Sequence, residues 1–158
     1  MRLSELVIGI PLLICVPPQT SPIKALPNGV LSKLTVLERE YCEDQFGDKF
    51  KKGCDRKFAA NLKWQEVAIT PTGESAILVE NQNLGFCGSA GCALYLFVQK
   101  ADTSYVQVLG TQGDIGTLKR FKVLEEITKE HFNVQVTWSD GKTHSIYRWN
   151  GSRYITPN

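Results

Sequence analysis

The sequence predicts an α+β domain: an N-terminal helix packed on an antiparallel β-meander sheet and stapled by disulfides. Three observations predict it. A helical apolar stripe in the front third gives way to strand patterning from Trp64 onward. The tight turn Cys87-Gly88-Ser89-Ala90-Gly91-Cys92 runs straight into the apolar stretch Ala93 to Val98. Two hairpin dipeptides, Asp140-Gly141 and Asn150-Gly151, recur at the spacing of a meander.

In chain order, residues 1–25 read as an export leader. Arg2 supplies the positive charge and Leu6 to Val16 an apolar core of signal-peptide length, too short for a conventional membrane span. The rest, 26–158, reads as a single α+β domain, and 158 residues are one domain's length. Pro17, Pro18, Pro22, Pro27 and Gly29 mark an unstructured approach to a helix over 30–46. Val30, Leu34, Leu37 and Tyr41 form its stripe, and Glu38, Glu40, Glu43 and Asp44 fall largely off it. Gly47 is a credible stop. Asp55 can cap a short helical turn carrying Phe58 and Leu62 on one side.

Strands follow at Trp64–Thr70 and, after the turn Pro71-Thr72-Gly73, at Ala76–Glu80. Next come Ala93–Val98 and Tyr105–Leu109. Gly110, Gly113 and Gly116 make 110–118 a mobile or tightly bent loop. Arg120–Ile127 leans to strand, and Phe132, Val134, Val136 and Trp138 alternate with polar residues as a half-buried strand. Ser145–Trp149 and Ser152–Ile155 complete the meander. Ala93–Val98 is apolar on both faces, so it needs cover on both. The helix supplies one cover, and the curl of the sheet or the leader the other.

With the leader removed, Cys42, Cys54, Cys87 and Cys92 remain, an even number behind a signal-like segment. Local pairing, Cys42 with Cys54 and Cys87 with Cys92, closes the least chain. The spacings match neither the usual paired zinc ligands nor a C-x-x-C redox motif. No metal and no cofactor motif is read from the chain.

A net charge of +2 gives no argument for nucleic acid or a membrane surface as partner. The basic run Lys49, Lys51, Lys52, Arg56 and Lys57 is interrupted by Asp48 and Asp55 and reads as a solvated face. A nucleophile elbow needs glycine two residues either side of its serine; Gly91 fits beyond Ser89, but Cys87 stands where the first glycine belongs, and a strand rather than a helix follows. His131 shares a polar strand face with Asn133, Gln135 and Thr137, and His144 follows the Asp140-Gly141 turn. The two can approach across one hairpin, with Glu125, Glu126 and Glu130 nearby as acid–base partners. Asn150-Gly151-Ser152 is both a glycosylation sequon and a hairpin turn, and the turn suffices to explain it. Tyr147 and Trp149 share a strand face that either packs in the core or offers an aromatic contact.

The stretch from Trp64 to Ile155 resembles a group of small secreted or periplasmic bacterial proteins. They share a C-G-S-x-G-C turn leading into an apolar strand, and a terminal aromatic–Asn/Asp-Gly–aromatic hairpin. Here those are Cys87 to Cys92 and Trp149 to Tyr154, a little over half the chain. The resemblance implies compartment and fold and transfers no catalytic residue. The extra pair Cys42 and Cys54 departs from the pattern.

The functional expectation is an extracytoplasmic binding or inhibitor-like module, secreted or periplasmic. Its partner would be another extracytoplasmic protein or envelope component, with no stable membrane span after processing. The alternatives are a small envelope hydrolase using His131 and His144 with nearby carboxylates, or a structural envelope protein. The expected contact surface joins the 110–118 loop to the hairpin tips through Gly113, Asp114, Lys119, Arg120, Asp140, Asn150 and Arg153, away from the cysteine turn.

Overall fold

A computed structural model describes residues 25–46, 61–83, 85–89, 91–109 and 115–157. Residues 1–24 of the leader, Gly47, Cys54, the basic run with Asp48, Asp55 and Phe58, and Gly110, Gly113 and Asp114 lie outside the described residues. The helix α1 spans Asn28–Phe46, two residues ahead of the expected start. The amides of Val30 and Leu31 both donate to the Pro27 carbonyl, which ties down the first turn.

The strands are β1 (Leu62–Ala68), β2 (Ser75–Asn81), β3 (Cys87–Gly88), β4 (Gly91–Gln99) and β5 (Tyr105–Leu109), then β6 (Ile115–Gly116), β7 (Phe121–Thr128), β8 (His131–Thr137), β9 (His144–Trp149) and β10 (Tyr154–Ile155). All pairings are antiparallel, so the α+β class with a front helix and a disulfide-stapled sheet holds. Leu62, expected in a helical turn, instead opens β1.

The strands divide between two sheets. The first runs β1-β2-β4-β3, with β5 and β6 also pairing β4; the second is the meander β10-β9-β8-β7. Three layers result. Val30 and Leu34 of α1 pack on Ile77, Val79, Tyr95 and Phe97, which face one side of the first sheet. The other side, with Ile69, Leu78, Leu94 and Leu96, packs on Phe121, Val134, Val136 and Tyr147 of the second sheet. The second sheet is therefore the cover that two-sided β4 requires. Glu80 ties the layers together: its carboxylate accepts from the Leu118 amide at 2.8 Å and the Gln82 side chain at 2.6 Å.

Residues 115 and 116, expected in a loop, pair instead with β4, Cys92 opposite Gly116. Gly91, at a φ of +131°, makes this possible, because a Cβ there would lie 2.6 Å from the Gly116 carbonyl oxygen. A Cβ on Gly116 would in turn lie 2.6 Å from Val136 Cγ1. The glycine expected to lend the loop adaptability serves internal close packing.

The hairpin turns also differ from expectation. The Trp138 amide donates to Thr143 O, so the β8–β9 loop holds four residues, 139–142, rather than the two of Asp140-Gly141. Asp140 accepts from the Lys142 and Thr143 amides and the Thr143 hydroxyl. Those donors, the hydroxyl foremost, hold its carboxyl below the usual range. At the last hairpin the Asn150 amide donates to Arg153 O, placing Gly151 and Ser152 at the tip. Asn150 Oδ1 accepts from the Ser152 amide and hydroxyl and the Arg153 amide, which is the turn reading of the sequon.

Cys87 and Cys92 form a disulfide across the turn. Cys42 is also disulfide-bonded, while Cys54, its expected partner, lies outside the described residues. Changing both Cys87 and Cys92 to Ser is expected to cost about 2 kcal/mol, from the entropy of closing so short a loop. Guanidinium unfolding of variant and parent reads the difference; equal midpoints would make the staple ornamental.

Candidate functional site

The helix crosses the first sheet on a diagonal. Its start lies over β5, where Gly29 approaches the Tyr105 ring so closely that a Cβ would sit 2.8 Å from Cδ2. Its later turns lie over the end of β2 and the loop beyond, where Tyr41 meets Phe86 with ring centroids 5.0 Å apart. That diagonal opens a groove of about 300 Å³ between α1 and β5. Lys33, Val36 and Leu37 line it from the helix, and Tyr105, Val106 and Gln107 from the strand, with Phe97 as its floor. Phe97 is fully buried and Val36 is 41% exposed, so the groove joins a fixed floor to a solvent-facing apolar wall. Such a shape supports binding by complementarity.

Beneath the second half of α1 lies a buried polar cluster. Glu38 is fully buried, a correction to its expected place off the apolar stripe. Its position four residues after Leu34 and eight after Val30 is the signal that its charge obscured. Its Oε1 accepts from the side-chain amides of Asn81 and, at 3.4 Å, Asn83. Asn81 Oδ1 accepts from the backbone and side-chain N–H groups of Asn83, at 3.0 and 2.9 Å. Glu38 Oε2 has no hydrogen-bond partner among the described residues. Burial pushes the Glu38 carboxyl up to about 7, against the two asparagines that favour its charge. Tyr95, on the same face, is pushed to about 12, first by burial and then by the Glu38 charge. The cluster holds or releases a proton near neutral pH.

The two histidines do not meet. His144 pairs with Thr137 at one end of the β8–β9 hairpin, and His131 opens β8 at the other. His131 stacks on Trp149 with centroids 4.1 Å apart, and Tyr154 meets the same indole edge-on at 5.2 Å. Trp149 is half-buried against the inter-sheet core and Tyr147 is inside it, which settles that aromatic face as packing. Of the nearby carboxylates, Glu126 accepts from buried Asn133 at 3.2 Å. No group of three or more His, Cys, Asp or Glu among the described residues is placed to hold a metal.

The expected contact residues fall into two separate sets. Arg120 donates to the Trp138 carbonyl, which brings Lys119, Arg120 and Asp140 to one end of the second sheet. Asn150 and Arg153 lie at the other end, where Lys129 Nζ donates to Asn150 O at 2.6 Å. The cysteine turn, expected to stand apart, meets the first set: the Ser139 hydroxyl donates to Ser89 O. The groove was not legible as a site, because its walls come from α1 and β5, distant in sequence and carrying no motif. No helix among the described residues is long and apolar enough to cross a membrane. No family model, curated protein or solved structure matches the chain.

Proposed function

We propose that the protein is an extracytoplasmic binding module that recognises another protein or envelope component on its α1–β5 face. The observation that carries this reading is the groove itself, an open apolar cleft on a buried, sheet-bound floor. A cleft already shaped before contact loses little conformational entropy on binding, so modest area yields useful affinity. The disulfide across the β3–β4 turn and the bonded state of Cys42 support an oxidising compartment. The signal-like leader and the resemblance to small secreted or periplasmic proteins point the same way.

Affinity capture from an envelope extract with the full chain is the test. The parent is expected to enrich a partner that Val36→Arg loses, while the stability of that variant stays within about 0.5 kcal/mol of the parent. Capture indifferent to Val36→Arg would remove the groove from the reading. A turnover lost on His131→Ala together with His144→Ala, with the fold intact, would replace binding by catalysis.

A further inference from the structure

We infer that the outer edge of β5 takes up an extended peptide as an added strand, with apolar side chains in the α1–β5 groove and a carboxylate against Lys33. This rests on the reading of the α1–β5 face as the recognition surface, and names the partner's chemistry.

The register of the β4–β5 hairpin supplies the backbone argument. The Lys100 amide donates to Ser104 O at 2.8 Å, so that pair lies in a hydrogen-bonded position of the ladder. Pairing continues with Gln99 opposite Tyr105, Val98 opposite Val106 and Phe97 opposite Gln107. An antiparallel ladder alternates bonded and non-bonded pairs. Tyr105 and Gln107 therefore stand in non-bonded pairs and turn their N–H and C=O groups away from β4. Among the described residues no strand pairs with that side of β5. The two outward sets of groups lie about 7 Å apart, the repeat of an extended chain.

The side chains agree with the backbone. Tyr105 packs on the helix side of the sheet and Val106 on the inter-sheet side. A residue opposite Tyr105 or Gln107 shares their face, which drops its side chain into the groove beside Val36 and Leu37. At about 300 Å³ the groove is at the lower limit for a drug-sized molecule, and it suits side chains better than a cofactor. Lys33 is the charged member of its lining, so complementarity calls for an acidic residue or chain terminus. Tyr105-Val106-Gln107-Val108-Leu109 also carries neither proline nor charge, two of the devices that protect edge strands from pairing, and its bulge falls only after Gln107, beyond the stretch that would take the added strand. Strand addition to such an edge is an established mode of peptide recognition.

The test is a displayed library of random peptides panned against the full chain, followed by titration of the selected sequences. Selected peptides are expected to carry apolar residues two apart and a carboxylate nearby. N-methylation at alternate peptide residues should weaken binding about tenfold per lost hydrogen bond. Gln107→Pro removes an outward N–H without touching the β4 ladder and should cost a similar factor. Lys33→Glu should cost about fivefold, less at high salt. If peptides bind and Val36→Arg expels them, yet neither N-methylation nor Gln107→Pro matters, the groove is the recognition surface but strand addition is wrong. Peptides indifferent to Val36→Arg as well would overturn both readings. An empty selection would overturn strand addition, and so would a dimer of the chain that Gln107→Pro dissolves, which would assign the edge to a second copy. Should Gln107→Pro fail to fold, the N-methyl series decides alone.

Discussion

Leu96→Asp is expected to leave the chain unfolded. Leu96 is fully buried on β4, paired with Leu78 on one side and Leu109 on the other. It faces the second sheet, in the cluster with Leu94, Val134 and Val136. A carboxylate there has no cation to meet, and an unpaired buried charge costs several kcal/mol even after relaxation. Domains of this size hold only about 5–15 kcal/mol of stability in total. Circular dichroism and thermal unfolding should show no cooperative transition for the variant. Ile127→Asp, at a strand position 53% exposed, is the matched control and should melt within about 0.5 kcal/mol of the parent. A Leu96→Asp protein as soluble and heat-resistant as the parent would mean that β4 is not the centre of the structure.

Glu38 should make the protein less stable as the pH rises through neutrality. Its carboxyl sits at about 7 in the fold against 4.5 in an open chain, so the folded state prefers the protonated form. The stability it contributes is complete below about pH 4.5 and is lost as pH climbs through 7. Over that window the loss amounts to about 3 kcal/mol, at 1.36 kcal/mol for each pH unit between the two values. Glu38→Gln remains neutral, and its amide oxygen can still accept from Asn81 and Asn83. Denaturant unfolding of both proteins should coincide near pH 4.5 and favour the variant by about 3 kcal/mol at pH 8. Comparing the pair cancels the titration of every other group. A parent that gains on the variant with rising pH would show Glu38 to be paired or solvated when charged.

Much of the fold was legible because its signals are local. The α1 stripe, the alternation in β8 and the existence of the last two hairpins, though not their loop lengths, are all read within one element's length. The double-sided apolar character of β4 announced two covers, but nothing local said that the second would be a separate sheet. The two sheets meet closely at Gly116, which pairs with β4 in the first and leaves room for the Val136 side chain of the second. Glu38 was missed because a charged residue normally marks solvent, and its partners Asn81 and Asn83 lie 43 and 45 positions away. The separation of the two hairpin tips has a related cause: tips adjacent in sequence, at Asp140 and Asn150, necessarily point to opposite ends of a meander. The groove escaped notice because it is a gap between α1 and β5, and a gap has no composition.

Amide shift mapping by NMR of the full chain, titrated with a selected peptide, tests the central claim most directly. The account predicts perturbation concentrated at Lys33, Val36 and Leu37 on the helix and at Tyr105, Val106 and Gln107 on the strand, with 139–142 and 150–153 unmoved. Shifts gathered at those hairpin tips or at Cys87–Cys92, with the α1–β5 groove silent, would contradict it.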